Sequence, residues 1–297
     1  MYINTETQYK QTFTAGLKSV NALNPSAYYT NRYFRKSAKL SGKTFEKIID
    51  PLVGKIKTVK IKSGRSHIYA WDINPDNSPN YVIFLHGMAQ NVSNYQNLYE
   101  KIAAKNIGIF SIEYRGYGHN KKAWLSEDGM KKDIKKAFKY LIRQKGIRPQ
   151  DITVIGHSMG GALAADFAAK NPELKSLILI CPITNLNNIG EKFSTNKHLG
   201  IGIPKRLLDI TKVSRIFNWM NSLRFNSINK IKKTKTPTYI IQSKNDSVTP
   251  IGAARRLAKT ARRKGILEEF KTFQYGGHKV DSNKVDAVSS FLDKIYS

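Results

Sequence analysis

Two rhythms of apolar residues alternate along this chain. Short continuous runs, "YVIFLHG", "NIGIFSIEYRG", "DITVIGHS", "SLILICP", "PTYIIQS" and "FKTFQYGG", have the uniformity of strands hidden on both faces. Between them lie stretches with helical spacing: Val92 to Lys105, Glu127 to Lys145, Met159 to Asn171, Ile251 to Lys264 and Asn283 to Ile295. Ahead of all these, "KTVKIKSG" and "HIYAWDINP" predict two antiparallel strands at a sheet edge, joined by a tight Ser-Gly turn. Buried strands alternating with amphipathic helices require crossovers and cover on both faces. The predicted fold class is therefore α/β, a mostly parallel, doubly wound sheet. In such sheets ligands bind beyond the carboxyl ends of the strands, which is where chemistry is to be sought.

Two segments break the alternation. Residues 1–56 form an N-terminal extension containing the aromatic-basic cluster "AYYTNRYFRK", and residues 57–297 form the main domain. That domain is interrupted at about 183–235 by a long insertion after a strand end, a place from which a helical cap overhangs a site. The cap carries apolar residues at helical spacing, among them Ile201, Leu207, Leu208, Ile216, Phe217 and Trp219. Between Glu191 and Lys235 there are 11 Lys and Arg against 2 Asp and Glu, a net of +9.

Composition narrows the function classes only a little. A chain of 297 residues with 40% hydrophobic content can bury a sizeable core. The longest apolar runs fall far short of the roughly 20 residues that cross a bilayer. No basic stretch followed by an apolar one opens the sequence, so the expected location is the cytoplasm. The single cysteine, Cys181, ends an apolar run and reads as a buried small residue, with no zinc-type spacing around it. The charge of +29 favours anionic partners, and its basic residues run along the whole chain. An anionic membrane surface is the expected peripheral partner. A nucleic-acid role is not expected, because no recognised module accompanies the charge.

The informative motif is "VIGHSMGGALAADFAAK", a strand, a tight turn and a helix. In G-x-S-x-G the glycines, here Gly156 and Gly160, leave room for Ser158 at the apex of a crowded turn. The helix opening at Met159 points free N–H groups beside that serine. A serine becomes a nucleophile only with a base and a group that orients the base. Of the six histidines, His278 in "QYGGHKVD" follows the last strand and is freed by two glycines. His67, His86, His119, His157 and His198 have weaker cases. Asp246 in "SKNDSVTP" ends another buried run and lies between the two in sequence. A second oxyanion donor is expected from "FLHGMAQN", with Gly87 allowing the turn, Met88 offering its N–H alongside that of Met159, and His86 steadying the loop.

The segments "FLHGMAQN", "EYRGYGHN", "IGHSMGG", "SKNDSVTP" and "GGHKVD", in that order, resemble the α/β-hydrolase family. The likeness is greatest to its monoacylglycerol-lipase, acyl-protein-thioesterase and S33-type serine hydrolase branches, over residues 57–297 and least in the cap. The resemblance implies Ser158 as nucleophile, His278 as base, Asp246 as orienting acid, and Met88 and Met159 as oxyanion donors. It implies no metal or organic cofactor, and a small-molecule or lipid ester (or thioester) as substrate, cleaved through an acyl-enzyme. A non-catalytic scaffold that binds an anionic partner, and a peptidase or acyltransferase of the same fold, remain the other readings.

Overall fold

The computed structural model describes residues 56–64, 66–74, 76–88, 90–117, 126–185 and 225–297. The N-terminal aromatic-basic cluster, most of the cap, His119 and His198 lie outside the described residues.

The sheet comprises β1 (Ile56–Ser63), β2 (Ser66–Ile73), β3 (Tyr81–Leu85), β4 (Gly108–Glu113), β5 (Ile152–His157), β6 (Ser176–Ile180), β7 (Thr238–Ser243) and β8 (Leu267–Phe273). Its order is β1-β2-β4-β3-β5-β6-β7-β8. β1 pairs antiparallel with β2, and β2 with β4, while the other neighbours are all parallel. The edge strands are β1 and β8; β2 also pairs with β4 from Tyr69 onward, so His67 lies on the second strand of its pair, and β8, with a neighbour on one side alone, is half-exposed where its run predicts a strand hidden on both faces. β3, β4, β5, β6 and β7 are buried along their whole length, as their unbroken apolar runs require.

Helices cover both faces. α1 (Gln96–Ala103), entered through a 3-10 turn over Val92–Tyr95, lies with α6 (Ser282–Tyr296) on one side. There Leu98, Tyr99, Ile102, Val288, Phe291 and Leu292 join Val82, Phe84 and Ile241 of the sheet. α2 (Glu127–Lys145), α3 (Met159–Ala168), α4 (Ser227–Ile231) and α5 (Ile251–Arg263) lie on the other. The boundaries follow local chemistry. Ser126 caps α2 through Gly129 N–H, with Glu127 and Asp128 in the first turn, and left-handed Gly146 ends the helix. Asp281 caps α6 by accepting from Lys284 N–H. α3 is shorter than its helical pattern, which runs on to Asn171, and is buried along its whole length under the sheet's centre.

Candidate active site

Ser158 stands between β5 and α3 with φ 54° and ψ −114°, a conformation that costs a non-glycine residue about 1–3 kcal/mol. The surrounding backbone holds it there. Ser158 N–H donates to Ile180 O at 2.9 Å, and Ser158 O accepts from Gly161 N–H at 3.0 Å and Ile183 N–H at 3.1 Å. The close approach of α3 to the sheet explains the glycines. A Cβ on Gly160 would fall 2.0 Å from Leu85 O, and one on Gly156 would fall 2.3 Å from Gly160 O.

The three residues singled out from sequence come together. Ser158 Oγ lies 2.8 Å from His278 Nε2, and His278 Nδ1 lies 2.8 Å from Asp246 Oδ2. The Asp246 side chain is fully buried, whereas that of His278 keeps 21% of its surface exposed. Asp246 is surrounded by donors. Oδ1 accepts from Val248 N–H and Thr249 N–H, each at 2.8 Å, while Oδ2 also accepts from Thr249 Oγ1 at 2.8 Å and Gln242 Nε2 at 3.1 Å. Burial alone would raise its pKa, but the hydrogen bond and charge of His278 and the Thr249 donors outweigh burial and hold the carboxyl at about 2.

His278 rides on a loop built for close contact. Gly276 and Gly277 have φ of 108° and 54°, and a Cβ on Gly276 would meet Asp281 Oδ2 at 2.1 Å. Gly277 N–H donates to Asn245 Oδ1 at 2.9 Å. Beneath the loop the fully buried Lys284 amine donates to Gly276 O at 3.3 Å and pairs with Asp281 Oδ2 at 3.2 Å. Pro250 takes the N-cap of α5, which starts at Ile251 as its helical spacing predicts.

The loop after β3 carries the expected His86, Gly87 and Met88. The His86 ring packs on Tyr114 and Tyr117, and its Nδ1 donates to Gly87 O at 2.8 Å, so it steadies the loop. Burial lowers its pKa to about 4. The "EYRGYG" turn supports the same loop. Tyr114 OH donates to His86 O at 3.2 Å, and Arg115 grips the buried Asp133 of α2 through Nε at 2.8 Å and Nη2 at 2.5 Å.

A second polar chain, not foreseen from sequence, joins this loop to the histidine loop. Gly87 N–H donates to Tyr95 OH at 3.0 Å, and Tyr95 OH lies 2.8 Å from His157 Nδ1. His157 Nε2 in turn donates to His278 O at 2.8 Å. The Gln90 side-chain amide closes the cluster, 3.0 Å from His157 Nδ1 and in contact with the Tyr95 hydroxyl. Burial, and then the neighbouring His278, lower the His157 pKa to about 3, which keeps that ring neutral. With Nε2 donating to His278 O, the neutral ring carries no proton on Nδ1, and that bond fixes its tautomer. Sequence signals for this polar chain are faint: His157 is the residue before the serine in G-x-S-x-G, and no local pattern marks Tyr95.

Among the described residues, donor atoms of Cys181, Asp246 and His278 lie within 4.8 Å of one another. The latter two already bond each other, and burial pushes the Cys181 thiol up and keeps it protonated, so this group is poorly suited to hold a metal. Cys181 is buried, in keeping with its expected place in the core.

Comparison with known proteins identifies the fold. The family model described as serine aminopeptidase, S33, matches residues 76–215. The solved structure of an esterase from Pyrococcus furiosus superposes with a TM-score of 0.68 at 18% identity, covering 82% of this chain and 91% of that one. The chain has the α/β-hydrolase fold. The chain is 27% identical over 192 residues to a candidate α/β hydrolase of Acanthamoeba polyphaga mimivirus, a match over 62% of its own length and 63% of the viral protein's. It therefore spans less than two thirds of that relative. A monoglyceride lipase homologue of monkeypox virus is 23% identical over 258 residues, 77% of this chain and 92% of its own. No described helix of the chain is long and apolar enough to cross a membrane.

Proposed function

We propose that this α/β hydrolase is a serine hydrolase cleaving carboxylic esters through an acyl-enzyme, with acyl lipids or acylated thiols as the leading substrates. The observation that carries the reading is the unbroken line from Ser158 Oγ through the His278 ring to Asp246, with 2.8 Å at each link. In this reading His278 Nε2 takes the Ser158 proton as Oγ bonds to the acyl carbon. The carbonyl oxygen becomes an oxyanion facing the N–H groups of Met88 and Met159, the latter at a helix end whose first N–H groups lack intrahelical partners. Collapse breaks the bond to the leaving group, which receives the proton from His278, and water activated by the same imidazole then frees the acid. Asp246 stays ionised and keeps the Nδ1 proton in place.

The likeness to a monoglyceride lipase homologue, spanned over 92% of its length, supports an acyl lipid over a peptide. The expected domain layout, an extension over 1–56 and a cap at about 183–235, belongs to the same reading, with the cap roofing the acyl chain. Burst kinetics with a p-nitrophenyl ester test the proposal. A pre-steady-state burst of nitrophenol stoichiometric with enzyme, absent in Ser158→Ala, is expected. Steady turnover without any serine-dependent acyl intermediate would refute it.

A further inference from the structure

Charge that is spread evenly along the sequence becomes one-sided in the fold. On the face carrying α1 and α6, charges pair between helices: Lys101 with Asp286 at 3.4 Å, and Lys105 with Asp293. The opposite face is different. α5 exposes Arg255, Arg256, Lys259, Arg262 and Arg263 and contains no acid. Its buried positions, Ala254, Leu257, Ala258 and Ala261, recur at helical spacing on the other side, so the five cations share one solvent-facing stripe. α2 repeats the arrangement with exposed Lys132, Lys135, Lys136, Lys139 and Arg143. Its acids lie elsewhere, Glu127 and Asp128 in the first turn and Asp133 buried under Arg115.

Between these helices the acid at the centre of the layer is already committed. Asp166 of α3 is shared by Lys230 at 2.5 Å, Lys170 at 2.6 Å and Lys131 at 3.7 Å. Among the described residues none of the ten cations on α2 and α5 has an ion-pair partner. A concentration of like charge with no internal partner is self-repelling, and an external anion relieves it.

We propose that the α2–α5 face docks the protein on an anionic lipid bilayer. The two helices flank α3 and α4 in one layer, α2 packing at the β1–β2 end of the sheet and α5 over β7 and β8, so their cations span the width of that face and present a broad array suited to a laterally extended charged surface. The large apolar residue exposed among the described ones, Tyr275, is on the loop ahead of His278 and not on this face. Tyr140 of α2 is half-buried and stacked on Phe110, so the described part of this face offers no exposed aromatic platform for bases, which disfavours single-stranded nucleic acid. It also lacks an apolar wedge, so the attachment is peripheral, electrostatic and reversed by salt. α2 and α5 start at the site end of the sheet and run away from it, so the docked face flanks the active site and leaves its opening free. The proposal does not depend on the hydrolytic reading.

The test is flotation of the full chain with phosphatidylcholine vesicles, with and without phosphatidylserine, across a salt series. The α5 variant Arg256→Gln, Lys259→Gln, Arg263→Gln is compared with a control of equal charge, Lys60→Gln, Lys62→Gln, Lys271→Gln, on strand positions away from this face. Expected are flotation of wild type only with phosphatidylserine, release by salt, a loss of about a hundredfold in partitioning for the α5 variant and little for the control. Turnover of a water-soluble ester stays unchanged in both. Equal losses in the two variants, or no flotation of wild type, would overturn the proposal. So would tighter binding of wild type to duplex DNA that the α5 variant loses, which would assign the face to nucleic acid.

Discussion

Replacing Asp246 by Asn changes one atom and leaves the fold's volume intact, yet the donors around it dictate a large effect. Oδ1 faces two backbone N–H groups, those of Val248 and Thr249, which cannot turn away. The new NH2 must therefore occupy the Oδ2 position, facing His278 Nδ1 and the Thr249 hydroxyl. Thr249 can rotate its hydrogen, but His278 can satisfy a donor at Nδ1 only by moving its proton to Nε2. That proton then points at Ser158 Oγ, 2.8 Å away, where a lone pair is needed. A wrong-tautomer base costs about 10⁴-fold in kcat, or roughly 5.5 kcal/mol of transition-state stabilisation. The assay is kcat/KM on a soluble p-nitrophenyl ester, with circular dichroism and a thermal melt to show that the variant is folded. A folded Asp246→Asn protein within tenfold of wild type would refute the role given to the carboxylate.

Tyr95→Phe leaves Gly87 N–H and His157 Nδ1 without their shared hydroxyl, at about 1–3 kcal/mol for the buried groups. A fall in kcat of about tenfold with KM little changed is expected, since the damage is to placement of the Met88 loop; a stopped assay resolving kcat from KM checks it. Gly160→Ala drives a methyl into Leu85 O, and a loss of about 3 kcal/mol or more in chemical denaturation is expected. Acid unfolding should carry the mark of His157. Its folded pKa of about 3 lies below the ordinary 6.5, so the unfolded chain binds the extra proton and stability falls progressively as pH drops from about 6.5 toward 3. Asp246, held at about 2, adds stability above its ordinary pKa that is lost as pH falls from about 4 through 2. Urea titrations at several pH values should show the first slope in wild type and a shallower one in His157→Gln.

What the sequence disclosed, it disclosed through local constraints. Ser158 and Asp246 each stand at the end of a buried run and His278 after the half-exposed strand β8, all three beside glycines or a turn, and those signals are contained within a few residues. The limits of α2 were equally legible, because Ser126 and Gly146 punctuate a strict apolar stripe. The Tyr95–His157–His278 bridge was not, since its links span 62 and 121 positions and no local pattern announces them. Lys284 was hidden for another reason. A lysine in an amphipathic helix reads as solvent-facing, and only the folded loop over it supplies the carbonyl and carboxylate that make burial tolerable. The one-sided charge was invisible because the helices are dealt to opposite faces of the sheet, and that division comes from topology.

The most direct test of the central claim is covalent labelling with a fluorophosphonate followed by mass spectrometry of the modified peptide, since this electrophile reports an activated serine whatever the natural acyl group. One label per chain on Ser158, abolished in Ser158→Ala and suppressed in His278→Ala, is the predicted result. Folded wild-type protein that takes up no label, or that carries it on another residue, would contradict the assignment of Ser158 as nucleophile.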